Sequence, residues 1–434
     1  MMKVGFISLG CSKNLVVTEE IIGLFKKRSY EIVGEPSEAE ILLINTCGFI
    51  ESAKEEGIQT ILEMADYKED KCKYLIVTGC LVERYEEELR KEMPEVDLFV
   101  SIKDYDKLWE KIDKLVNNNK EDDKLSYKHR VLTTGDTMAY LKIAEGCSNY
   151  CTYCAIPYIQ GKYISRKYED ILDEANMLAK KGIQELVVIA QDTTKYGLDL
   201  YDKARLPELL NDLCKIDGIK WIRFLYSYPE SITDELIDVV KKNDKICKYF
   251  DLPIQHISDD VLKRMNRKSD GNTIRNLISK LRKEIPGVIL RTTLIVGFPG
   301  ETEDNFNELC EFVKESKFDR LGAFAYSAED GTPAAKFPNQ VEEGVKHSRR
   351  DTIMEIQQTV SSNNLSNKVG NVYECIVENI TEDGEYYVAR SYMDVPSEDG
   401  VIYIKYDPEY MINEFVSVKI TNSDEYDLYG EFAE

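Results

Sequence analysis

Residues Ala139 to Pro157 read AYLKIAEGCSNYCTYCAIP. A β-prone run over 139–145 leads straight into Cys147-Ser-Asn-Tyr-Cys151-Thr-Tyr-Cys154. The thiols therefore sit at the carboxyl end of a strand, the end at which parallel sheets and barrels bind their ligands. Three thiolates in eight residues can hold three corners of a four-iron cluster and leave the fourth iron open. A zinc site needs a fourth ligand, and no second C-x-x-C or H-x-x-x-H follows. A redox C-x-x-C pair is the other reading of the same residues.

Working outward, the spacing predicts further strands over 185–192, 221–227, 249–254, 288–297 and 320–327. Helical segments lie between them, including 168–181 and 302–315. Six βα units in this span predict a partial barrel, since a full eight-unit barrel needs about 250 residues. A long polar helix over 341–364 closes it. Beyond 368 come short runs (VYECIVENI, YYVARS, VIYIKY, FVSVKI) between Gly, Asp and Pro turns, which predict a small all-β barrel. That segment carries four basic and sixteen acidic residues, a net charge of −12.

Upstream, strands over 4–9, 41–46, 74–78 and 97–101 alternate with helices over 14–27, 50–66, 82–93 and from Asp104. The run ILLINT (41–46) is continuously apolar, as in a parallel strand covered on both faces. An α/β, doubly wound open sheet follows. The polar stretch 117–128 reads as a linker. The expected organisation is a doubly wound domain over 1–117, a linker over 118–137, a partial (β/α)6 barrel over 138–366 and an all-β barrel over 367–434.

The chain has eleven cysteines and three histidines in 434 residues. An odd cysteine count in a Lys- and Glu-rich chain is not a disulfide framework. Cys11, Cys47 and Cys80 each end a strand of the first domain, and each adjoins a glycine (Gly10, Gly48, Gly79). Carboxyl ends of parallel strands share one sheet edge, so these thiols are expected to converge. Cys72, Cys214, Cys247, Cys310 and Cys375 lack such a pattern and are expected to be structural.

The net charge of −23 argues against a surface that binds nucleic acid throughout, because phosphate contacts need clustered Lys and Arg. No run of 18 apolar residues offers a membrane span, and MMKVGFISLGC is too short in apolar residues for a secretory signal. A cytoplasmic protein is expected.

The C-x-x-x-C-x-x-C loop after a strand resembles the radical S-adenosylmethionine (SAM) superfamily. Tyr153 resembles the aromatic residue that lies near adenine there. Gly182-Ile-Gln-Glu185 resembles the strand edge that meets the SAM amino group, and Leu294 to Gly300 (LIVGFPG) the later glycine-bearing strand. Two cysteine triads with a terminal β barrel resemble the methylthiotransferases, whose terminal barrel is a TRAM domain. Within them, the RimO-type branch is matched by Leu9 to Asn14, Leu43 to Ile50, Ala139 to Pro157, Ala190 to Tyr201, Leu252 to His256, Ser391 to Gly400 and Tyr426 to Gly430. Two departures stand out: only Lys162 and Arg166 remain of the basic residues usual after the cluster loop, and Val17-Thr18 replaces Asp-Ser.

The resemblance implies two [4Fe-4S] clusters, on Cys11/Cys47/Cys80 and on Cys147/Cys151/Cys154, together with SAM. It implies methylthiolation of the β-carbon of an aspartate in small-subunit ribosomal protein S-twelve. One SAM would methylate sulfur held at the first cluster, and a second would be cleaved at the other to a radical that abstracts hydrogen. An electron donor of the reduced flavodoxin or ferredoxin kind is then needed. Tyr153, Glu185, Gln191, Gln255, Arg291 and Gly297 are the expected cofactor contacts, with Asp192, His256 and Arg267 nearby; no catalytic side chain is assigned. The acidic terminal barrel, with Asp394, Glu398 and Asp399, is expected to recognise a basic protein and not RNA. The alternatives are a tRNA adenosine methylthiotransferase, a sulfur-inserting radical enzyme, and a non-catalytic iron–sulfur carrier or electron-transfer protein.

Overall fold

The computed structural model describes residues 1–116 and 123–433. The amino-terminal part runs β1 (Lys3–Ser8), α1 (Ser12–Lys27), β2 (Glu31–Ile32), β3 (Ile41–Thr46), α2 (Glu51–Ala65), β4 (Tyr74–Gly79), α3 (Cys80–Glu92), β5 (Leu98–Val100) and α4 (Leu108–Val116). Its strands form one parallel sheet in the order β2-β1-β3-β4-β5. All six residues of β3 are buried, and the four apolar ones alternate between two cores. Ile41 and Leu43 pack with Phe25 of α1 and Trp109 of α4. Leu42 and Ile44 pack with Ile61 of α2 and Leu81 of α3. Each such side chain contributes about 1.5–3 kcal/mol by burial, so covering both faces fixes the doubly wound form. The sequence reading has no β2, which is two residues long and pairs only with the edge of β1.

The middle part contains β6 (Met138–Lys142), β7 (Ala144–Glu145), α5 (Ile156–Ile159), β8 (Ile164–Ser165), α6 (Tyr168–Lys180), β9 (Glu185–Ile189), α7 (Leu198–Tyr201), α8 (Leu206–Leu213), β10 (Trp221–Phe224), α9 (Asp234–Lys242), β11 (Tyr249–Asp251), α10 (Asp259–Arg264), α11 (Gly271–Glu284), β12 (Ile289–Val296), α12 (Glu303–Ser316), β13 (Arg320–Ala325) and α13 (Glu343–Ser366). The six long-spaced strands β6, β9, β10, β11, β12 and β13 are the expected ones. They form two three-stranded parallel sheets, β6-β9-β10 and β11-β12-β13, joined by a bridge between Ile222 and Ile246. Helices cover the outside, and α13 lies along β13 and α12.

The last part is a closed five-stranded barrel of β14 (Val372–Ile380), β15 (Tyr386–Ser391), β16 (Ile402–Lys405), β17 (Phe415–Ser423) and β18 (Leu428–Phe432), in the order β14-β15-β16-β18-β17. Closure leaves no strand edge free.

Two seams correct the sequence reading. Residues 117–122 of the expected linker lie outside the described residues, but 123–137 form a strap. Arg130 is buried between Glu19 of α1 (2.6 Å) and Glu174 of α6 (2.8 Å), and Asp123 holds Lys27 and Arg28. The second seam joins the terminal barrel to the amino-terminal ends of the middle strands. Glu185, the first residue of β9, receives Arg223 of β10 (3.0 Å) and Arg390 of β15. Burial pushes the Glu185 carboxyl up, but Arg390 and Arg223 outweigh it and hold it below its ordinary value. Arg291 meets Glu398 (3.0 Å), Arg320 meets Asp394, and the Tyr249 hydroxyl donates to Asp399 (2.7 Å). Glu185 and Arg291 therefore lie at the end of the barrel opposite the cysteine loop and are not SAM contacts. Asp394, Glu398 and Asp399 face arginines of the same chain, because those arginines need neutralising when the barrels close together.

Candidate active site between two cysteine triads

The sheet order reverses between β1 and β3, since β1 is followed in sequence by β2 on one side and then by β3 on the other. Such a switch point opens a crevice outside the carboxyl ends. Cys11 precedes α1, Cys47 follows β3, and Cys80 opens α3 directly after β4. Their loops touch. A Cβ on Gly10, whose φ is +85°, would stand 2.6 Å from the Cys47 Cβ, and one on Gly48 would stand 2.9 Å from the Cys80 carbonyl carbon. Glycine beside each cysteine is thus what lets neighbouring loops close up. Burial, then the charges of Cys47 and Cys11, push the Cys80 thiol up to about 12.

Asn14 pins these loops by donating to the carbonyls of Leu9 (3.2 Å) and Thr46 (3.0 Å). Thr18 donates to Ser8 Oγ and accepts from Asn45. The departure at Val17-Thr18 therefore keeps a hydroxyl where a hydroxyl is needed.

The second triad lies on the loop after β7. The turn at 264–266 holds it: Thr152 N–H donates to the Met265 carbonyl (3.1 Å), Thr152 Oγ1 to the Arg264 carbonyl (2.8 Å), and Asn266 Nδ2 to the Tyr150 carbonyl (2.9 Å). Cys151 Sγ is 3.7 Å from the Tyr228 hydroxyl. Burial, then the charge of Cys151, pushes the Cys154 thiol far up. Among the described residues no three His, Cys, Asp or Glu side chains close around a common point as ligands of one ion do. Each triad is a wider grouping whose members feel one another's charge. All-thiolate donors in that arrangement fit an iron–sulfur cluster.

Two of the remaining expected contacts, Tyr153 and Gln255, meet at the mouth, with Arg267 beside them. Tyr153 packs beside Phe298 and Tyr326. Gln255 has φ +72° and a buried Oε1 with no hydrogen-bond partner among the described residues. Arg267 lies over the Tyr228 ring at 4.2 Å, donates Nη2 to the Pro253 carbonyl, and leaves buried Nε and Nη1 without such a partner. A small polar ligand fits those atoms. Gly297 also lies at the mouth, after β12, but a Cβ there would stand 2.3 Å from Lys346 Cγ. The approach of α13 accounts for that glycine. His256 accepts from the Ser258 N–H through Nδ1 and faces Glu301 at 3.8 Å, within the core and away from the thiols. Asp192 accepts from Asn149 Nδ2 (2.9 Å) beside the Cys147 loop.

The first sheet caps this mouth. Glu329, after β13, receives Arg84 (3.1 Å) and Lys54 (3.3 Å), and the Tyr85 hydroxyl donates to Asp330. Lys13 stands 3.4 Å over the Tyr226 ring. Where α1 and the 102–105 turn meet the middle barrel, a cavity of about 30 Å³ is lined by Asn14, Tyr105, Lys142, Gln160 and Gln191, among others. Sequence reasoning missed Tyr228, Gln160 and the Glu329 clamp. Gln160 lies in the same stretch as Lys162 and Arg166, and only its amide, not a charge, marks it. Arg166 itself pairs with Glu174 (2.6 Å).

Residues 141–313 match the model of the radical SAM superfamily, residues 3–101 that of an uncharacterized protein family, UPF0004, and residues 369–433 that of the TRAM domain. The chain is 64% identical over 432 residues to the ribosomal protein uS12 methylthiotransferase RimO of Alkaliphilus oremlandii (strain OhILAs), covering 99% of each. It is 52% identical over 443 residues to the protein of that name from Clostridioides difficile (strain 630), again covering 99% of each. Among solved structures, the radical SAM methyltransferase TsrM from Kitasatospora setae, with tryptophan and aza-SAM bound, is similar in fold. Its TM-score is 0.59 at 12% identity, covering 83% of this chain and 89% of that one.

Proposed function

The chain belongs to the RimO ribosomal protein uS12 methylthiotransferases, and from that membership we propose that Cys11, Cys47 and Cys80 hold one four-iron cluster and Cys147, Cys151 and Cys154 another. It is a radical SAM methylthiotransferase acting on ribosomal protein uS12, and it uses an iron–sulfur cluster and SAM. A tRNA substrate is not favoured. The observation that carries the two-cluster reading is the approach of the two cysteine-bearing segments: Ala155 and Ile159, directly after Cys154, pack on Cys80 of the first sheet.

Cys147, Cys151 and Cys154 would hold the cluster that, with SAM, would supply radical chemistry able to break an unactivated C–H bond, and Cys11, Cys47 and Cys80 would hold the one that would supply sulfur for methylthiolation of an aspartate β-carbon. The chain's own residues do the rest. Arg267 and the Gln255 carbonyl offer a donor pair and an acceptor to the polar groups of SAM, with Tyr153 and Tyr228 flanking them. Glu329, Arg84 and Lys54 press the first sheet on the mouth and exclude water. We assign the four segments 1–117, 118–137, 138–366 and 367–434 to a cluster-bearing domain, a strap, the radical barrel and the TRAM domain.

With Asp394 and Asp399 buried against arginines and the half-exposed Glu398 paired with Arg291, protein recognition falls to Glu374, Glu382, Asp383, Glu385, Glu409 and Glu425, which are exposed on the terminal barrel. Their charge favours a basic ribosomal protein over RNA. Among the described residues no helix is long and apolar enough to cross a membrane. We place the reaction in the cytoplasm, with a reduced flavodoxin- or ferredoxin-like donor.

The test is iron counting with SAM cleavage on anaerobic protein. The parent should carry two clusters. Replacing Cys147, Cys151 and Cys154 by Ala should remove one and abolish release of 5′-deoxyadenosine. Replacing Cys11, Cys47 and Cys80 should remove the other and leave cleavage in place. Loss of all cleavage in the second variant, with its remaining cluster intact, would contradict this division of labour.

A further inference from the structure

Gln160 stands where the two triads approach each other. It ends the turn of α5, six residues after Cys154, and so belongs to the barrel. Ala155 and Ile159 of that turn pack directly on the buried Cys80 of the first sheet. Gln191, just after β9, donates Nε2 to Gln160 Oε1 at 2.9 Å. That bond fixes the amide, because a primary amide has one acceptor end and one donor end. The donor end then faces the other domain: Gln160 Nε2 lies 3.8 Å from Cys80 Sγ. Cys80 Sγ also lies 3.9 Å from Asn14 Oδ1, an acceptor, which can serve a thiol but not a thiolate.

We propose that Gln160, oriented by Gln191, is a positioning residue that donates an N–H hydrogen bond to the Cys80 sulfur and raises the reduction potential of the cluster on Cys11, Cys47 and Cys80. The proposal rests on the reading that those cysteines hold a cluster. A donor to a ligating sulfur stabilises the more electron-rich, reduced state, and such outer hydrogen bonds are among the levers that set cluster potentials. Here the donor comes from the radical barrel. The electronic state of the sulfur-bearing cluster is thereby tied to docking of the two halves, and an undocked first sheet lacks the bond.

The experiment is a redox titration of anaerobic, reconstituted full-length protein, followed by electron paramagnetic resonance so that the two clusters are read separately. In Gln160→Leu the potential of the first cluster should move to more negative values while the barrel cluster stays in place and iron content is unchanged. Gln191→Leu should move it in the same direction by less, because the donor remains but is no longer oriented. An unmoved first-cluster potential in iron-replete Gln160→Leu overturns the proposal, and so do equal shifts of both clusters. If Gln160→Leu does not load iron, Gln191→Leu decides by the same criterion. A parent chain without the first cluster would overturn the underlying reading as well, and its iron content distinguishes that failure from an unmoved potential.

Discussion

Glu185→Gln separates two roles for one carboxylate. By its sequence context Glu185 resembles a SAM contact; in the structure it is wholly buried at the far end of the barrel, shared by Arg223 and Arg390. Neutralising it leaves two guanidinium groups buried with half their compensation, and breaking a buried pair in this way costs about 3–5 kcal/mol. The middle and terminal barrels together are about 300 residues, which unfold with an entropy of about 0.6 kcal/mol/K. The variant should therefore melt about 5–8 °C lower. The measurement is calorimetric unfolding of the apo chain at neutral pH, beside equilibrium dialysis with SAM. The folded-state pKa of Glu185 lies below its ordinary 4.5, so its contribution is present above that value and is lost as pH falls through the folded one. The gap between parent and variant should close in acid. An unchanged melting temperature with SAM affinity reduced about tenfold or more, 1.4 kcal/mol, would refute this placement.

Gly10→Ala puts a Cβ 2.6 Å from the Cys47 Cβ at a φ of +85°, so the variant should lose first-triad iron selectively, read as about half the parent's iron content. Glu329→Gln weakens the clamp on Arg84 and Lys54, and amide exchange should quicken around 48–54 and 80–85 while the terminal barrel is unaffected. Burial, then the charges of Arg264 and Arg349, lower the His256 pKa from 6.5 to about 3. Its contribution to stability is thus full above pH 6.5 and lost as pH falls toward 3; His256→Asn should flatten that part of the stability profile.

The convergence of Cys11, Cys47 and Cys80 was legible because each follows a strand of one parallel sheet, and such residues lie on its ligand edge whatever the loops do. The same rule, applied to Glu185, would have placed it correctly. It begins the run ELVVI, and a residue that begins a strand lies at the opposite end. Asp192 and Gln191 follow that strand and do reach the mouth. What no local pattern gives is which carboxylate meets which arginine across 200 residues, and so the acidic segment at 394–399 resembled a free recognition surface.

The clue lay in the barrel strands themselves. Arg223 sits in WIRF, Arg291 in ILRTT and Arg320 in RLGAFA, each within a strand of mostly apolar residues, the last two toward its start. A guanidinium there has no route to water once the strand is covered, and it demands a buried acceptor. Arg223 finds Glu185 within its own barrel, but Arg291 and Arg320, on the neighbouring strands β12 and β13, require carboxylates brought to that end by another segment. The terminal barrel is the segment with carboxylates in excess. Its −12 charge is therefore two things at once: a part that locks it beneath the radical barrel through Asp394, Glu398 and Asp399, and a remainder left exposed. Only the remainder is available to attract a basic substrate, so charge reversal at Glu382, Asp383 and Glu385 should slow association with ribosomal protein uS12 without lowering the melting temperature. Reversal at Asp394 should lower the melting temperature first.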